Sequence, residues 1–440
     1  MSENLKENEV LNQNMEFSDF EKLLNEEFQP KSDEANEAVH SAVKTLIAQA
    51  VSNANLIKSD VLSTIESIIA ELDKNLSEQL NEIIHHEEFK TMESAWRGLD
   101  YLVSNTATSE NLKIKVFNIS KSELLKTLKK YKGTAWDQSP LFKKIYEEEY
   151  GTAGGEPFGC LVGDYYFNQS APDIELLKGI AQIAAASHAP FISSVDPSMM
   201  NLNSWQDLAN PRDINKIFST PEYASWRSFR DSDDSRYVAL TLPRVLSRAP
   251  YGANSNPVEE FAFEEDTGSG DSSKYAWMNA AYGMGVNINR SFAEYGWCAR
   301  IRGVESGGIV ESLPTHTFPS DDGSVAMKCP TEIAITDRRE AELSSNGFLP
   351  LCYWKNTDYA VFLGGQTVNK PKEYDNKEAT ANANLSARLP YIFAVSRFAH
   401  YLKCIVRDKI GSFKEKADMQ NWLSNWIANY VTSDPNAPEE

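Results

Sequence analysis

The side chains that come nearest to a metal site are two adjacent histidines followed by two glutamates, His85-His86-Glu87-Glu88. The apolar spacing around them is helical. Neighbouring residues of a helix point about 100° apart, so two adjacent imidazoles seldom bind one ion. A helix surface, or a buried and hydrogen-bonded histidine, explains the same residues. We therefore predict no metal site here.

A pair of glycines in Glu305-Ser306-Gly307-Gly308 is the best candidate for an anion-binding loop. Glycines adopt positive φ at no steric cost, and such loops can direct their amides at an anion. The loop lacks the lysine of phosphate-binding motifs, which favours a tight turn instead. A cytosolic enzyme with an anion-binding loop near Gly303 to Gly308 is the alternative hypothesis for function.

Two charged runs have both a functional and a structural interpretation. Asp321-Asp322-Gly323-Ser324 resembles part of a calcium-binding turn, but it lacks the full loop and is also typical of a hairpin turn. Asp337-Arg338-Arg339-Glu340 has the charges of a site, yet such a run is usually a set of ion pairs at the start of a helix.

The common catalytic motifs GxxxxGK[ST], GxSxG and HExxH are absent, and so is the set of kinase motifs. None of the clusters above combines a nucleophile, a base and an orienting group. The sequence therefore predicts a protein that is not an enzyme and that has no cofactor.

The elements that must position these groups centre on residues 274–350. Small and apolar residues at helical spacing open this stretch, with Ala280, Gly283 and Asn287 on a face that another element can approach closely. A β-like piece over 297–304, the glycine loop, a β-like run over 331–336 and a helix start at Asp337 follow. The pattern predicts a unit of helix, strand, loop, strand and helix.

The first 36 residues are predicted to be an acidic, flexible tail with one short amphipathic helix. Phe17, Phe20, Leu24 and Phe28 fall at i, i+3, i+7 and i+11, and Leu23 lies beside them. One interpretation is a tail helix docked on the chain's own body. The other is a linear motif that enters a partner's groove.

Three further regions follow in the predicted organisation. Residues 37–105 form a helical N-terminal region, residues 106–431 an α/β core with possible subdomains at 106–250 and 270–431, and residues 432–440 a linker-like end. Strand, helix and strand patterns over 158–194 indicate a βαβ crossover with parallel strands. The predicted fold is a mixed α/β (α+β) fold, with a mixed sheet flanked by helices.

Charge and composition exclude several classes of partner. The formal net charge is −20, which argues against nucleic acid or an anionic membrane as a binding surface. No apolar run approaches the roughly 20 residues that span a bilayer. The five cysteines have no CxxC spacing, which is typical of reduced thiols. We expect a cytoplasmic protein.

Long tracts from about residue 80 to 431 are similar to one family. They include ESAWRGLDYLV, GGEPFGCLVGDYYF, TPEYASWRSFRDSDDSRY, LPRVLSRAPYGA and CPTEIAITDRREAEL, in family order. The chain resembles the large contractile-sheath subunit of bacterial type VI secretion systems (the TssC or VipB family). The resemblance implies a phage-tail-sheath-like fold and a structural protein without an active site.

The same resemblance implies the partners. Family members pair with a small sheath subunit (TssB or VipA) and polymerise with their own copies into a helical lattice around the Hcp inner tube. The lattice stands on a membrane-anchored baseplate, and its contraction propels the tube and its spike. A ClpV-type AAA+ unfoldase recognises a helix near the N-terminus, and residues 17–28 are the only segment here that fits that helix.

Two expectations concern the end of the chain. The last helix, over 417–431, is expected to approach the inner tube through Asp418, Gln420, Asn421 and Asn425. Family members also continue with a segment whose strands link adjacent subunits, whereas this sequence stops at Glu440. Either the sequence is a truncated form or its lattice contacts differ.

Overall fold

The computed structural model describes residues 61–431 except 211–212, 260, 269, 320–322, 324 and 413–415, together with Glu37 and Ser41 upstream. The described residues fall into two compact units. The smaller unit contains the helix that ends at Ile84 and the segment Tyr251–Asp266, and the larger one contains the rest from His85 onward.

Twelve α-helices are found in the described part of the chain. They are α1 Val61–Ile84, α2 Glu87–Ser104, α3 Lys121–Lys130, α4 Pro140–Phe142, α5 Ala171–Ser187, α6 Ile214–Ser219, α7 Ala224–Arg230, α8 Ala280–Tyr295, α9 Asp337–Ser345, α10 Lys377–Ser386, α11 Leu389–Lys409 and α12 Lys416–Ala428. The short α4 continues as a π-helix over Lys143–Gly151.

Ten strands form three sheets in the same part of the chain. They are β1 Leu161–Phe167, β2 Phe191–Val195, β3 Val238–Leu242, β4 Val245–Leu246, β5 Trp277–Met278, β6 Ile309–Val310, β7 Thr317–Pro319, β8 Val325–Met327, β9 Leu349–Tyr353 and β10 Ala360–Phe362. The main sheet has the order β1-β2-β3-β9-β10-β6, and β4-β5 and β7-β8 are separate pairs.

The main sheet is mixed, as predicted. β1 and β2 are parallel and joined by α5, which confirms the βαβ crossover, and β3 and β9 continue the parallel part. β10 and β6 are antiparallel to their neighbours. Every residue of β2 and β3 is buried, because helices cover both faces of the sheet.

The two faces have different helical covers. The face under α5 carries the larger apolar cluster, which includes Phe167, Leu177 and Trp226. The face under α8 carries a second cluster around Met284 and Phe362. The mixed α/β fold with flanking helices is therefore confirmed.

Small residues let α8 lie close to its neighbours, as its pattern predicts. A Cβ at Gly283 would lie 3.0 Å from Val310 Cγ1, and one at Gly285 would lie 3.0 Å from Leu102 Cδ1. Asn279 caps the helix by accepting from the amide of Ala281, and Gly296 ends it with φ +72°. Close packing of α8 thus joins the sheet to α2.

Two strands predicted in the central stretch are absent. After α8 the chain forms no strand over 297–304, because its amides have other acceptors: that of Arg300 donates to Ser291 Oγ (3.2 Å), and that of Gly303 donates to the distant carbonyl of Phe362 (2.8 Å). Over 331–336 the only pairing is a single bridge between Val245 and Thr331. The alternation there reflects packing of Ile333 and Ile335 against the core.

One helical pattern and one alternating pattern also differ from the structure. Apolar residues at helical spacing over 381–410 predict one long helix, but the structure has two, since Pro390 lies in the first turn of α11 and Arg388 before it is extended. Leu112, Ile114 and Val116 alternate with lysines, a pattern that predicts a strand with one exposed face, but the segment belongs to no ladder.

The smaller unit is held together by side chains of α1 and the segment Tyr251–Asp266. Asn81 accepts from the amide of Asp266 (2.9 Å) and donates to the carbonyl of Glu264 (3.3 Å). Phe263 is buried, and its ring lies 6.0 Å from that of Tyr251. The stretch predicted as an exposed acidic loop is therefore partly packed.

Candidate interaction surfaces

The loop from Gly303 to Gly308 is a tight turn closed on its own backbone. The amide of Gly308 donates to the carbonyl of Gly303 (2.9 Å), and the amide of Phe362 donates to the carbonyl of Gly308 (2.9 Å). A Cβ at Gly308 would lie 2.5 Å from Gly303 N and 2.6 Å from Phe362 O. Glycine is required here by the close approach of two chain segments, and these amides already have acceptors.

Positive charge beside this loop comes from Arg300, whose Nη2 donates to the carbonyl of Glu305 (3.4 Å), and from Arg290. The Nη2 atom of Arg290 donates to the carbonyls of Ile309 (2.6 Å) and Gly307 (3.3 Å), and its Nη1 lies 3.2 Å from Glu311 Oε2. The Arg290 guanidinium is therefore occupied by the turn and by one carboxylate. The anion-binding hypothesis has no support from this geometry.

The charged run at the start of α9 forms contacts within the helix and to its neighbours. Arg339 pairs with Glu342 (2.7 Å) and donates to the carbonyl of Asn210 (2.6 Å), while Glu340 accepts from Ser344 Oγ (2.7 Å). These contacts include one ion pair at the start of α9, that of Arg339 with Glu342, and all of them are structural.

The remaining two clusters also have structural roles. His85 and His86 lie in the turn between α1 and α2 rather than on a helix surface, and His86 is the N-cap of α2. Among the described residues, no group of three or more His, Cys, Asp or Glu side chains has the arrangement of a metal site. β7 and β8 form an antiparallel hairpin around Gly323, as the hairpin interpretation predicts.

Among the described residues, the most enzyme-like group is a half-buried carboxyl, Asp164 on β1. Burial raises its pKa, and hydrogen bonds from Asn279 and Tyr282 oppose that shift. Asn279 also accepts from Ser194 Oγ (2.6 Å) and donates to the carbonyl of Tyr165 (3.1 Å). These polar groups link β1 and β2 to the N-cap of α8, so their partners are structural.

The predicted partner-binding residues of the tail, Phe17, Phe20, Leu23, Leu24 and Phe28, lie outside the described residues. At the other end, α12 packs its apolar face against α11, where the rings of Trp426 and Phe398 are 6.1 Å apart. The four predicted tube-facing side chains on α12 are all exposed: Asp418, Gln420, Asn421 and Asn425.

One exposed apolar surface, on α2, was not predicted from the sequence. On α2, Met92, Trp96 and Val103 are 52%, 67% and 45% exposed, and the half-buried Leu99 lies between them. We call these four residues the α2 stripe. Their spacing of i, i+4, i+7 and i+11 was the available signal, but in sequence such a stripe is indistinguishable from a core-facing one.

A second exposed feature follows α2, and we call residues 112–119 the strand segment. Val116 and Phe117 are 66% and 52% exposed, whereas Ile114 packs against an apolar cluster formed by Leu102, Tyr282 and Val286. Contiguous apolar exposure of this kind marks interaction sites in soluble proteins. In the described part of the chain, the α2 stripe and the strand segment are thus exposed apolar surfaces.

Comparison with known proteins decides the family. The model for the EvpB/VC_A0108 tail sheath N-terminal domain (VipB) matches residues 66–369, and that for the tail sheath gpW/gp25-like domain of the same family matches residues 378–440. The chain belongs to the VipB tail sheath family.

A curated relative agrees with this family. The "Type VI secretion system sheath protein TssC1" of Pseudomonas aeruginosa is 66% identical over 418 residues, which are 95% of this chain and 84% of that protein. Membership of the VipB family confirms the predicted resemblance and the prediction of a structural sheath protein rather than an enzyme. A sheath protein assembles with other sheath components. None of the helices in the described residues has the length and apolar character to cross a membrane.

Proposed function

We propose that this chain is the large subunit of a type VI secretion contractile sheath. The observation that carries the proposal is the match of VipB sheath domains over residues 66–369 and 378–440. The 66% identity to a type VI sheath protein supports the same assignment. The site geometry is consistent with it, since every candidate catalytic cluster described above has structural partners.

In this proposal the chain acts through three kinds of contact. It pairs with a small sheath subunit, stacks with its own copies into a helical lattice on a baseplate, and surrounds an Hcp-type inner tube in the cytoplasm. Heterologous contacts of this kind generate open helical assemblies. The energy for propulsion is stored in the extended lattice, so the subunit needs no active site. The predicted regions 1–36, 37–105, 106–431 and 432–440 are part of the same proposal.

The inner tube contacts α12 in this proposal. Asp418, Gln420, Asn421 and Asn425 are polar and exposed, whereas the apolar side of the helix is directed to α11. An exposed polar face suits a tube that must slide past it, because polar contacts exchange readily with water. Asn425→Lys should leave folding unchanged and reduce co-purification of inner tube with sheath.

The unfoldase recognises residues 17–28 in this proposal. Replacing the four residues of the apolar stripe (Phe17, Phe20, Leu24 and Phe28) by serine should leave sheath assembly intact and abolish disassembly by a ClpV-type unfoldase. The matched control replaces Asp19, Lys22 and Asn25, on the polar side, by alanine. Equal disassembly of the two variants would contradict this assignment.

The decisive experiment is co-expression of the chain with the small sheath subunit encoded beside it. Size-exclusion chromatography and negative-stain microscopy should show tubules or a stoichiometric heterodimer. A well-behaved monomer that ignores the small subunit would refute the proposed function.

A further inference from the structure

The central residues of the strand segment, 113–118, make no main-chain hydrogen bonds within the described part of the protein. From Lys113 to Asn118, no amide or carbonyl has a partner among the described residues. The segment also has no turn, bend or helix over these residues. Strands are normally paired, and an unpaired exposed strand is a template for pairing with another chain.

The strand segment is nevertheless fixed in place along its length. The carbonyl of Ile119 accepts from Tyr165 Oη (2.8 Å), and Lys115 Nζ lies 2.7 Å from Glu149 Oε1. Lys113 pairs with Glu156 in the same way. Ile114 packs against the same apolar cluster as Val162 of β1, and the segment belongs to none of the described sheets. Its hydrogen-bonding groups are presented in a fixed position.

The exposed side chains of the segment continue into the α2 stripe. Ile114 and Leu99 pack against the same apolar cluster, which places the two surfaces side by side. Val116 and Phe117 are adjacent in sequence, so in an extended chain they point to opposite faces. At Val116 and Phe117 the two faces are therefore apolar and exposed, whereas Ile114 is packed against the core, and Trp96 on α2 has 67% of its surface exposed.

We propose that residues 113–118 accept a β-strand from a different sheath polypeptide, the small subunit, and that the same partner covers the α2 stripe with an apolar helix face. This inference rests on the proposed function and specifies where that partner binds. The main chain of residues 113–118 provides hydrogen bonds in the manner of β-augmentation, and Trp96 provides an aromatic anchor of the kind enriched at binding hot spots.

Symmetry favours pairing of the segment with a different polypeptide over pairing with the same segment of a second copy. Pairing of the segment with the same segment of a copy would be isologous and would close a two-fold dimer. A closed contact does not propagate a helical lattice. The incoming strand must present apolar side chains to Val116 and Phe117, the two exposed apolar residues of the segment. If the small subunit pairs with the segment, the other surfaces of the chain remain available for contacts between copies in the lattice.

Proline at position 116 tests the main-chain pairing. Val116→Pro removes an amide that has no partner in the free chain, so the free chain should keep its thermal midpoint. It should weaken binding to the small subunit by about tenfold or more. The matched control, Val116→Thr, keeps the amide and the branched shape and should weaken binding by about threefold at most.

Hydrogen exchange provides a readout that requires no variant. In the chain alone the amides of residues 113–118 should exchange rapidly, and in the complex they should be protected by at least about tenfold. Unchanged exchange on complex formation would overturn the proposal. So would equal binding by Val116→Pro and the wild type, or a dimer of the chain alone that Val116→Pro disrupts.

Trp96→Ala tests the helix side of the surface. It should weaken binding by about tenfold or more, since truncation of exposed aromatic anchors has the largest effect at interfaces. Trp354→Ala, at an exposed tryptophan elsewhere on the chain, is the control and should bind normally. Equal affinity of the two variants would refute the helix contact. If the wild-type chain itself does not bind the small subunit, the proposed function fails; if it binds and every variant binds equally, only this inference fails.

Discussion

Glu93 and Arg248 form the buried ion pair that holds α2 on the larger unit, and breaking it should release that helix. Arg248 Nε lies 2.7 Å from Glu93 Oε1, and its Nη2 donates to Oε2 at 3.3 Å. The side chain of Arg248 is only 6% exposed and that of Glu93 only 12%. Burial alone raises the pKa of Glu93, but hydrogen bonds and charge from Arg248 and Arg97 outweigh it and lower the pKa overall.

Glu93→Gln keeps the shape and one acceptor but removes the carboxylate charge that pairs with the buried Arg248 guanidinium. Removal of one partner of a buried pair costs about 3–5 kcal/mol, and we take the lower value because the amide oxygen remains. About 3 kcal/mol corresponds to roughly a hundredfold change in an opening equilibrium. The amides of α2 should therefore exchange about a hundredfold faster in the variant.

Hydrogen exchange with mass spectrometry measures this opening directly on peptides from α2. Glu87→Gln on the same helix is the control, because its pair with Lys90 (2.7 Å) involves a carboxylate that is 84% exposed. Such a surface pair contributes about 0.5 kcal/mol or less. Equal exchange in the two variants would refute the role of the buried pair.

Three other perturbations have defined outcomes. Burial lowers the pKa of His400 to about 4 from 6.5, so the unfolded chain binds a proton between those pH values that the folded chain does not, and stability should fall by about 3 kcal/mol as pH drops through that window. Urea midpoints of His400→Gln, which keeps a donor for the Ser187 carbonyl, should show a weaker pH dependence, and an identical slope would contradict the assignment. Gly98→Val should lower the thermal midpoint by the equivalent of about 1–3 kcal/mol, because a Cβ at Gly98 would lie 2.4 Å from the Tyr282 ring; an unchanged midpoint would refute it. In denaturant titrations, Gly308→Ala should destabilise the protein more than Gly303→Ala. A Cβ at Gly308 would meet backbone atoms, whereas nothing lies within 4 Å of a Cβ at Gly303. The opposite order would contradict the steric reason for glycine at 308 and would favour a ligand-based one.

The fold was predictable where apolar spacing and packing agree. The βαβ crossover of β1, α5 and β2 and the small face of α8 are local patterns whose partners are near in sequence or require only close approach. The strands predicted over 297–304 and 331–336 failed because alternation of side chains reports burial on one side and not the presence of a hydrogen-bonded neighbour. The amide of Gly303 donates to the carbonyl of Phe362, a tertiary contact, and is therefore not available for a strand over 297–304.

For the function and the interaction surfaces, too, the sequence determined one part and the tertiary structure another. The residue tracts alone determined the family, and the lack of catalytic motifs indicated a structural protein, because both depend only on which residues occur in which order. The tertiary structure decided that the stripe of Met92, Trp96 and Val103 faces outward and that residues 113–118 lack strand partners. A sequence records which side of a helix or strand is apolar. Only the packed chain shows whether that side has already been covered, because coverage depends on segments far away in the sequence.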